Sequence, residues 1–139
     1  MIDELIDYRR NRAKETLMDA EQLFNSGSLF SVVNRIYYAM FYEVSALLLT
    51  KDLSSPKHSG VKSLFNREFI KTGKVSIESG RLFARIFEFR QKGDYEDFVS
   101  FEADKVKEWL DNAKIFISEL EELIGKNKAP FRRNFNWVT

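Results

Sequence analysis

The chain has 139 residues, 44% of them hydrophobic and 31% charged, with a net charge of +1 and no cysteine. That is the balance of one soluble globular domain, long enough to bury a core. It excludes a disulfide framework and a thiolate metal centre, and the single histidine, His58, excludes a histidine-rich metal site within one chain. With 6 Gly, 2 Pro and no hairpin signal between alternating strands, an all-α protein is expected. Met1 leads directly into an acidic amphipathic segment without a signal peptide, and no apolar run reaches about 18 residues. The expectation is a cytoplasmic protein with no membrane contact, no metal and no cofactor. Charge is unevenly spread: residues 51–92 carry ten basic and four acidic side chains, and residues 93–125 carry three and ten. Such halves can attract each other within the fold or between subunits, or present a basic patch to nucleic acid.

The first predicted helix covers residues 2–25, where Ile2, Leu5, Ile6, Ala13, Leu17, Ala20 and Phe24 recur at spacings of three and four. Gly27 then suits the residue just past a helix end and Ser28 the N-cap of the next helix. So short a turn makes the two helices antiparallel neighbours. The second helix, residues 28–50, is the one the chain is organised around. Val32, Val33, Ile36, Tyr37, Met40, Val44, Leu47 and Leu48 spread over more than half its circumference, so it must be packed on several sides. The remaining sector is a polar stripe of Ser31, Asn34, Arg35, Tyr38, Tyr42 and Ser45. A half-buried guanidinium is costly unless it meets an anion or a carboxylate. The stripe is therefore the candidate site. The plainer reading pairs Arg35 with an acidic residue of a neighbouring helix and makes the tyrosines amphipathic core.

Ser55 and Pro56 read as N-cap and first position of a third helix, about residues 56–71, with His58 in its first turn and Val61, Leu64, Phe65 and Phe69 inside. A fourth helix, about 76–92, carries Leu82, Phe83, Ile86, Phe87 and Phe89 with Arg81, Arg85 and Arg90 beside them, and Gly93-Asp94-Tyr95 ends it. The fifth, about 101–125, carries an unbroken stripe from Val106 through Trp109 and Phe116 to Ile124, with an acidic outer face. Residues 126–139 form a basic tail with interleaved aromatics, either frayed or a nucleic-acid or partner contact. The expected architecture is an antiparallel up-and-down bundle of four to five helices over residues 1–125, followed by that tail. No Gly-rich phosphate loop, Glu-x-x-His pair or Ser-His-Asp order is present.

Three blocks in order, NRIYYAMFYEVSALL (34–48), KHSGVKSLFNREFIKTG (57–73) and GRLFARIFEFRQKGDY (80–95), closely resemble the prokaryotic HEPN domain, over about residues 5–122. The resemblance implies a helical bundle paired as a homodimer across the helix that bears the Arg motif. It also implies a neighbouring nucleotidyltransferase partner, in a toxin–antitoxin or RNA-targeting system. Active members resemble metal-independent endoribonucleases built on an Arg, four to six intervening residues, and then a His. Arg35 matches the Arg, but the His position falls at Met40-Phe41-Tyr42. Tyr42 keeps the face of Arg35, yet a phenol with a pKa of about 10 is a poor general base at neutral pH, where an imidazole near about 6.5 is suitable. His58, at a helix start that disfavours its protonation, can reach Arg35 only through the fold or a partner subunit. Arg90 with Asp94-Tyr95 resembles a family turn, and reads equally as an ion pair securing a helix end.

The candidate catalytic residues are thus Arg35, Tyr42 and His58, and the candidate nucleotide- or RNA-binding residues are Asn34, Arg35, Tyr38, Arg81 and Arg85. From the resemblance alone, Tyr38 and Tyr42 are also candidate acceptors for nucleotidylation. Two functions compete. One is an RNA- or nucleotide-binding HEPN component of a two-gene system, with endoribonuclease activity in question. The other is a non-catalytic dimeric adaptor in which the Arg35 stripe is a polar seam.

Overall fold

The computed structural model describes residues 1–95, 97 and 99–138, with side chains as far as Asn127. Its helices are α1 (Ile2–Asn25), α2 (Leu29–Leu49), α3 (His58–Phe65) continued by a π-helical turn (Asn66–Ile70), α4 (Ile77–Tyr95) and α5 (Ala103–Val138). No strand occurs among the described residues, so the fold is an all-α bundle. No helix of the described residues is long and apolar enough to cross a membrane.

The α1–α2 turn closes as anticipated. Ser28 N–H donates to the carbonyl of Leu23 and Gly27 N–H to that of Phe24, each at 3.0 Å, with Gly27 at φ +84°. This is the paired-bond helix stop that a left-handed residue permits. Ser28 sits at the N-cap of α2 but makes no capping bond with its side chain.

Helix α2 touches α1, α3, α4 and α5, which places it at the centre. Val32, Ile36, Tyr37, Met40, Val44 and Leu47 are all fully buried. Cross-helix contacts set the directions of its neighbours. Ser79 bonds Glu119, Phe83 stacks on Phe116, and Phe89 packs on Trp109, so α4 and α5 run antiparallel. Arg10 with Glu121 and Glu21 with Lys114 do the same for α1 and α5. At Gly80 a Cβ would come within 3.0 Å of Ile70 Cδ1, so the π turn packs tightly against α4 where a glycine leaves it room.

Three boundaries differ from expectation. α3 starts at His58, with Lys57 at the N-cap rather than Ser55; the Ser55 hydroxyl instead accepts the Lys57 N–H at 3.2 Å within the loop. α3 also passes into the π turn, closed by Lys71 N–H on Asn66 O at 2.9 Å. α4 continues through Gly93, Asp94 and Tyr95 instead of ending there. Gly125 does not stop α5, because it is not among the glycines at positive φ, and without a left-handed residue the ladder simply continues. The side chains of residues 128–139, on which the expected tail contact depends, lie outside the described residues, as do Glu96 and Phe98 between α4 and α5.

Candidate functional site

Where α2, α3 and α4 meet, polar side chains gather around Tyr38. The Arg90 guanidinium lies 5.3 Å from the centre of its ring and donates through Nη2 to its hydroxyl at 2.9 Å. Arg35 lies 5.2 Å from the same ring centre. His58 meets the ring edge-on, with centroids 5.9 Å apart. A phenol ring attracts cations electrostatically through its π face, so one tyrosine organises two guanidiniums and an imidazole. Arg90 is held from the other side by Asp94, with Nε 2.9 Å from Oδ2, close enough for an ion pair but too poorly aligned for a hydrogen bond. The pair spans one turn near the end of α4, as the sequence allowed.

Tyr37, one residue before, points into the core and is fully buried. Its hydroxyl lies 2.7 Å from His58 Nδ1. Burial holds the phenol protonated, its pKa raised above the ordinary 10. A buried O–H needs an acceptor, so it donates to Nδ1, which places the ring proton of a neutral His58 on Nε2. Partial burial, and then the nearby positive charge of Arg90, push the imidazole pKa down, keeping His58 neutral at pH 7. Phe41 stacks on the imidazole at 4.3 Å and fixes its plane.

A second cluster lies under α1. Glu43, fully buried on α2, has no hydrogen-bond donor at either carboxyl oxygen. The carboxylate of Glu121 faces it, held by Arg10 at 2.8 and 3.0 Å and by Lys14 at 3.2 Å. Desolvation, then Glu121, push the Glu43 pKa far up. For Glu121, burial is outweighed by Arg10, the Glu43 carboxyl and Lys14, and its pKa falls. The two therefore share one proton, carried by Glu43. Glu43 was missed as a site residue, although it stands seven after Ile36 and four before Leu47, in the apolar register of α2.

Of the residues expected at the site, Asn34, Arg35, Tyr38 and His58 come together. Arg35 donates from Nε and Nη2 to Asn34 Oδ1 at 3.1 and 2.7 Å. Among the described residues no carboxylate of a neighbouring helix pairs with it, whereas Tyr38 does pack against the core as the plainer reading expected. Tyr42 stands beside Tyr38, ring centres 6.4 Å apart, with the Arg12 guanidinium 5.3 Å from its own ring centre. Tyr42 and His58 both line a cavity of about 270 Å³ between α1, α2 and α3. Arg81 and Arg85 do not join them. They are exposed on α4 and line a separate groove with Glu78, Glu108 and Asn112. Tyr37 and Arg90 were not among the expected binding residues, yet they orient His58 and Tyr38.

The HEPN domain profile matches residues 6–123, nearly the whole described bundle and all of this cluster. The chain belongs to the HEPN domain family. The HEPN chain is similar to a UPF0332 protein of Thermotoga maritima, 53% identical over 122 residues, 88% of this chain and 92% of that one. Two proteins of Methanocaldococcus jannaschii, each named "putative toxin", are also similar. One is 38% identical over 84% of this chain and 80% of its own length. The other is 31% identical over 81% and 83%.

Proposed function

We propose that this HEPN domain is the toxin-like component of a two-gene system with a nucleotidyltransferase, acting as a homodimer that binds RNA or nucleotide phosphate at the Tyr38 cluster. The observation that carries this reading is the placement of Arg35 and Arg90 against one phenol, with Asp94 as the only carboxylate paired to either among the described residues. One excess cation, half-buried and pre-oriented, is what a phosphate requires. The toxin names of two relatives support the class.

The orientation of His58 favours binding over cleavage. With Nδ1 accepting from Tyr37, Nε2–H is a donor that can bond a phosphate oxygen, and it is not a base that can take a 2′-hydroxyl proton. Tyr42 offers no better base for metal-free transfer to that hydroxyl.

The test is fluorescence anisotropy with a labelled single-stranded RNA over a range of salt, on the dimer isolated by light scattering. Arg35→Ala should weaken binding about tenfold, near 1.4 kcal/mol, and lower the salt slope by about one phosphate contact. Equal affinity in wild type and variant would leave the adaptor reading standing. Metal-free cleavage by the wild type would show that His58 or Tyr42 does act as a base. Co-expression with a neighbouring nucleotidyltransferase that fails to co-purify would remove the two-gene part.

A further inference from the structure

We infer that the cavity beside His58 is a pocket for a single nucleotide unit, with Arg9 as its phosphate clamp, so that the strand bound there is unpaired. This rests on the reading of the Tyr38 cluster as a phosphate site and extends it to the neighbouring nucleotide.

The cavity is walled by Arg9 of α1, Tyr42 and Ser45 of α2, Ser54 and Ser55 of the loop before α3, and His58. Its chemistry is one guanidinium, one imidazole, one phenol and three hydroxyls, with no carboxylate among the described lining residues. Such a lining is wrong for a metal ion or an amine and right for an anion bearing hydroxyls. Leu48 and Val61 give it an apolar floor on which a base or sugar edge can rest.

Arg9 itself points to an anion. On the same helix Arg10 pairs with Asp7 and Glu121, and Arg12 with Glu15. Arg9 is half-buried and has no carboxylate partner among the described residues. A desolvated guanidinium without a counter-charge is costly, and a phosphate in the cavity would supply one.

The loop wall is also built rather than incidental. A Cβ at residue 60 would collide with Cβ and Oγ of Ser55, so Gly60 lets the 54–56 segment fold onto α3 and close the cavity. Size then limits the ligand. At about 270 Å³ the cavity falls just under the usual small-molecule range of about 300–1,000 Å³. One nucleotide unit is the upper limit, and a base paired in a duplex cannot enter. Because His58 and Tyr42 belong both to this wall and to the Tyr38 surroundings, one strand can reach both sites.

Calorimetric titration of the full chain with uridine 3′-monophosphate, and with uridine, tests this. Arg9→Gln removes the clamp, and Ser54→Trp, at an exposed position, plugs the mouth without disturbing the core; unchanged melting temperatures would certify both variants. The monophosphate should bind about tenfold more tightly than uridine, Arg9→Gln should abolish that difference, and Ser54→Trp should remove both ligands. If both variants bind the monophosphate as the wild type does, the pocket is not the site. If RNA still binds in an Arg35-dependent way while the monophosphate does not bind, the pocket fails and the Tyr38 reading survives. If neither RNA nor monophosphate binds, both fail together.

Discussion

Two polar clusters hang from α2, a turn or two apart, and they are balanced differently. Under α1, Arg10 and Lys14 face Glu121, with Asp7 on the outer side of Arg10 and a protonated Glu43 beneath. Cations and carboxylates cancel there, and the surplus acid is silenced by a proton. Against α4, Arg35 and Arg90 share one phenol and, among the described residues, have Asp94 alone to balance them. Buried charge is tolerated when it is neutralised in place; where one cation is left over at a half-exposed surface, the missing partner is expected to come from outside. The first cluster ties α1 to α5, and the second is the one proposed to take a ligand.

The largest effect expected on that contrast is from Arg10→Ala. It leaves Glu121 with Lys14 alone beside Glu43 and should cost roughly 2–3 kcal/mol in chemical denaturation, below the figure for a fully buried pair because both side chains are partly exposed. RNA affinity should be spared. Arg35→Ala should do the reverse, costing about tenfold in RNA affinity and little stability. Were Arg10→Ala to cost RNA binding as much as Arg35→Ala, the division between the clusters would be wrong.

Glu43→Gln should be next in size. The folded-state pKa of Glu43 is raised, so its contribution is most favourable at low pH and is lost progressively as pH climbs above the ordinary carboxylate value of 4.5. Glutamine keeps the shape and a donor for Glu121 without that penalty. The variant should gain on the order of 1 kcal/mol at neutral pH, with the gap widening between about pH 5 and 9. A gap that narrows with rising pH would mean the proton sits elsewhere.

The smallest effect is at His58. Its pKa is lowered in the folded state, so wild type loses stability as pH falls below the ordinary 6.5. Removing the nearby positive charge in Arg90→Gln should raise the imidazole pKa. NMR titration reads this without ambiguity, because His58 is the chain's single histidine. No change would mean that Arg90 and His58 are not electrostatic neighbours.

Much of this was legible in the chain. Periodicity placed α2 at the centre, Gly27 marked its entry, and Arg35 stood out as a cation on an otherwise half-buried stripe. Local signals failed where a long-range contact decided. Ser55-Pro56 looks like a helix start, but the loop is held over Gly60 instead. The Tyr37–His58 bond joins residues 21 apart across a loop, so Tyr37 read as plain core. Arg81 and Arg85 shared a basic segment with Arg90, yet they face outward, because only Arg90 continues the inward face of Phe83 and Phe87. Glu43 had a readable signal, a carboxyl in an apolar register, whose meaning depended on Glu121 nearly eighty residues away.

The most direct measurement is the salt dependence of single-stranded RNA binding by wild type, Arg35→Ala and Arg10→Ala, each checked for folding by thermal melting. The account predicts that Arg35→Ala alone loses about tenfold in affinity and about one unit of slope, while Arg10→Ala melts earlier and binds normally where folded. Wild type and Arg35→Ala binding RNA with the same affinity and the same slope would contradict it.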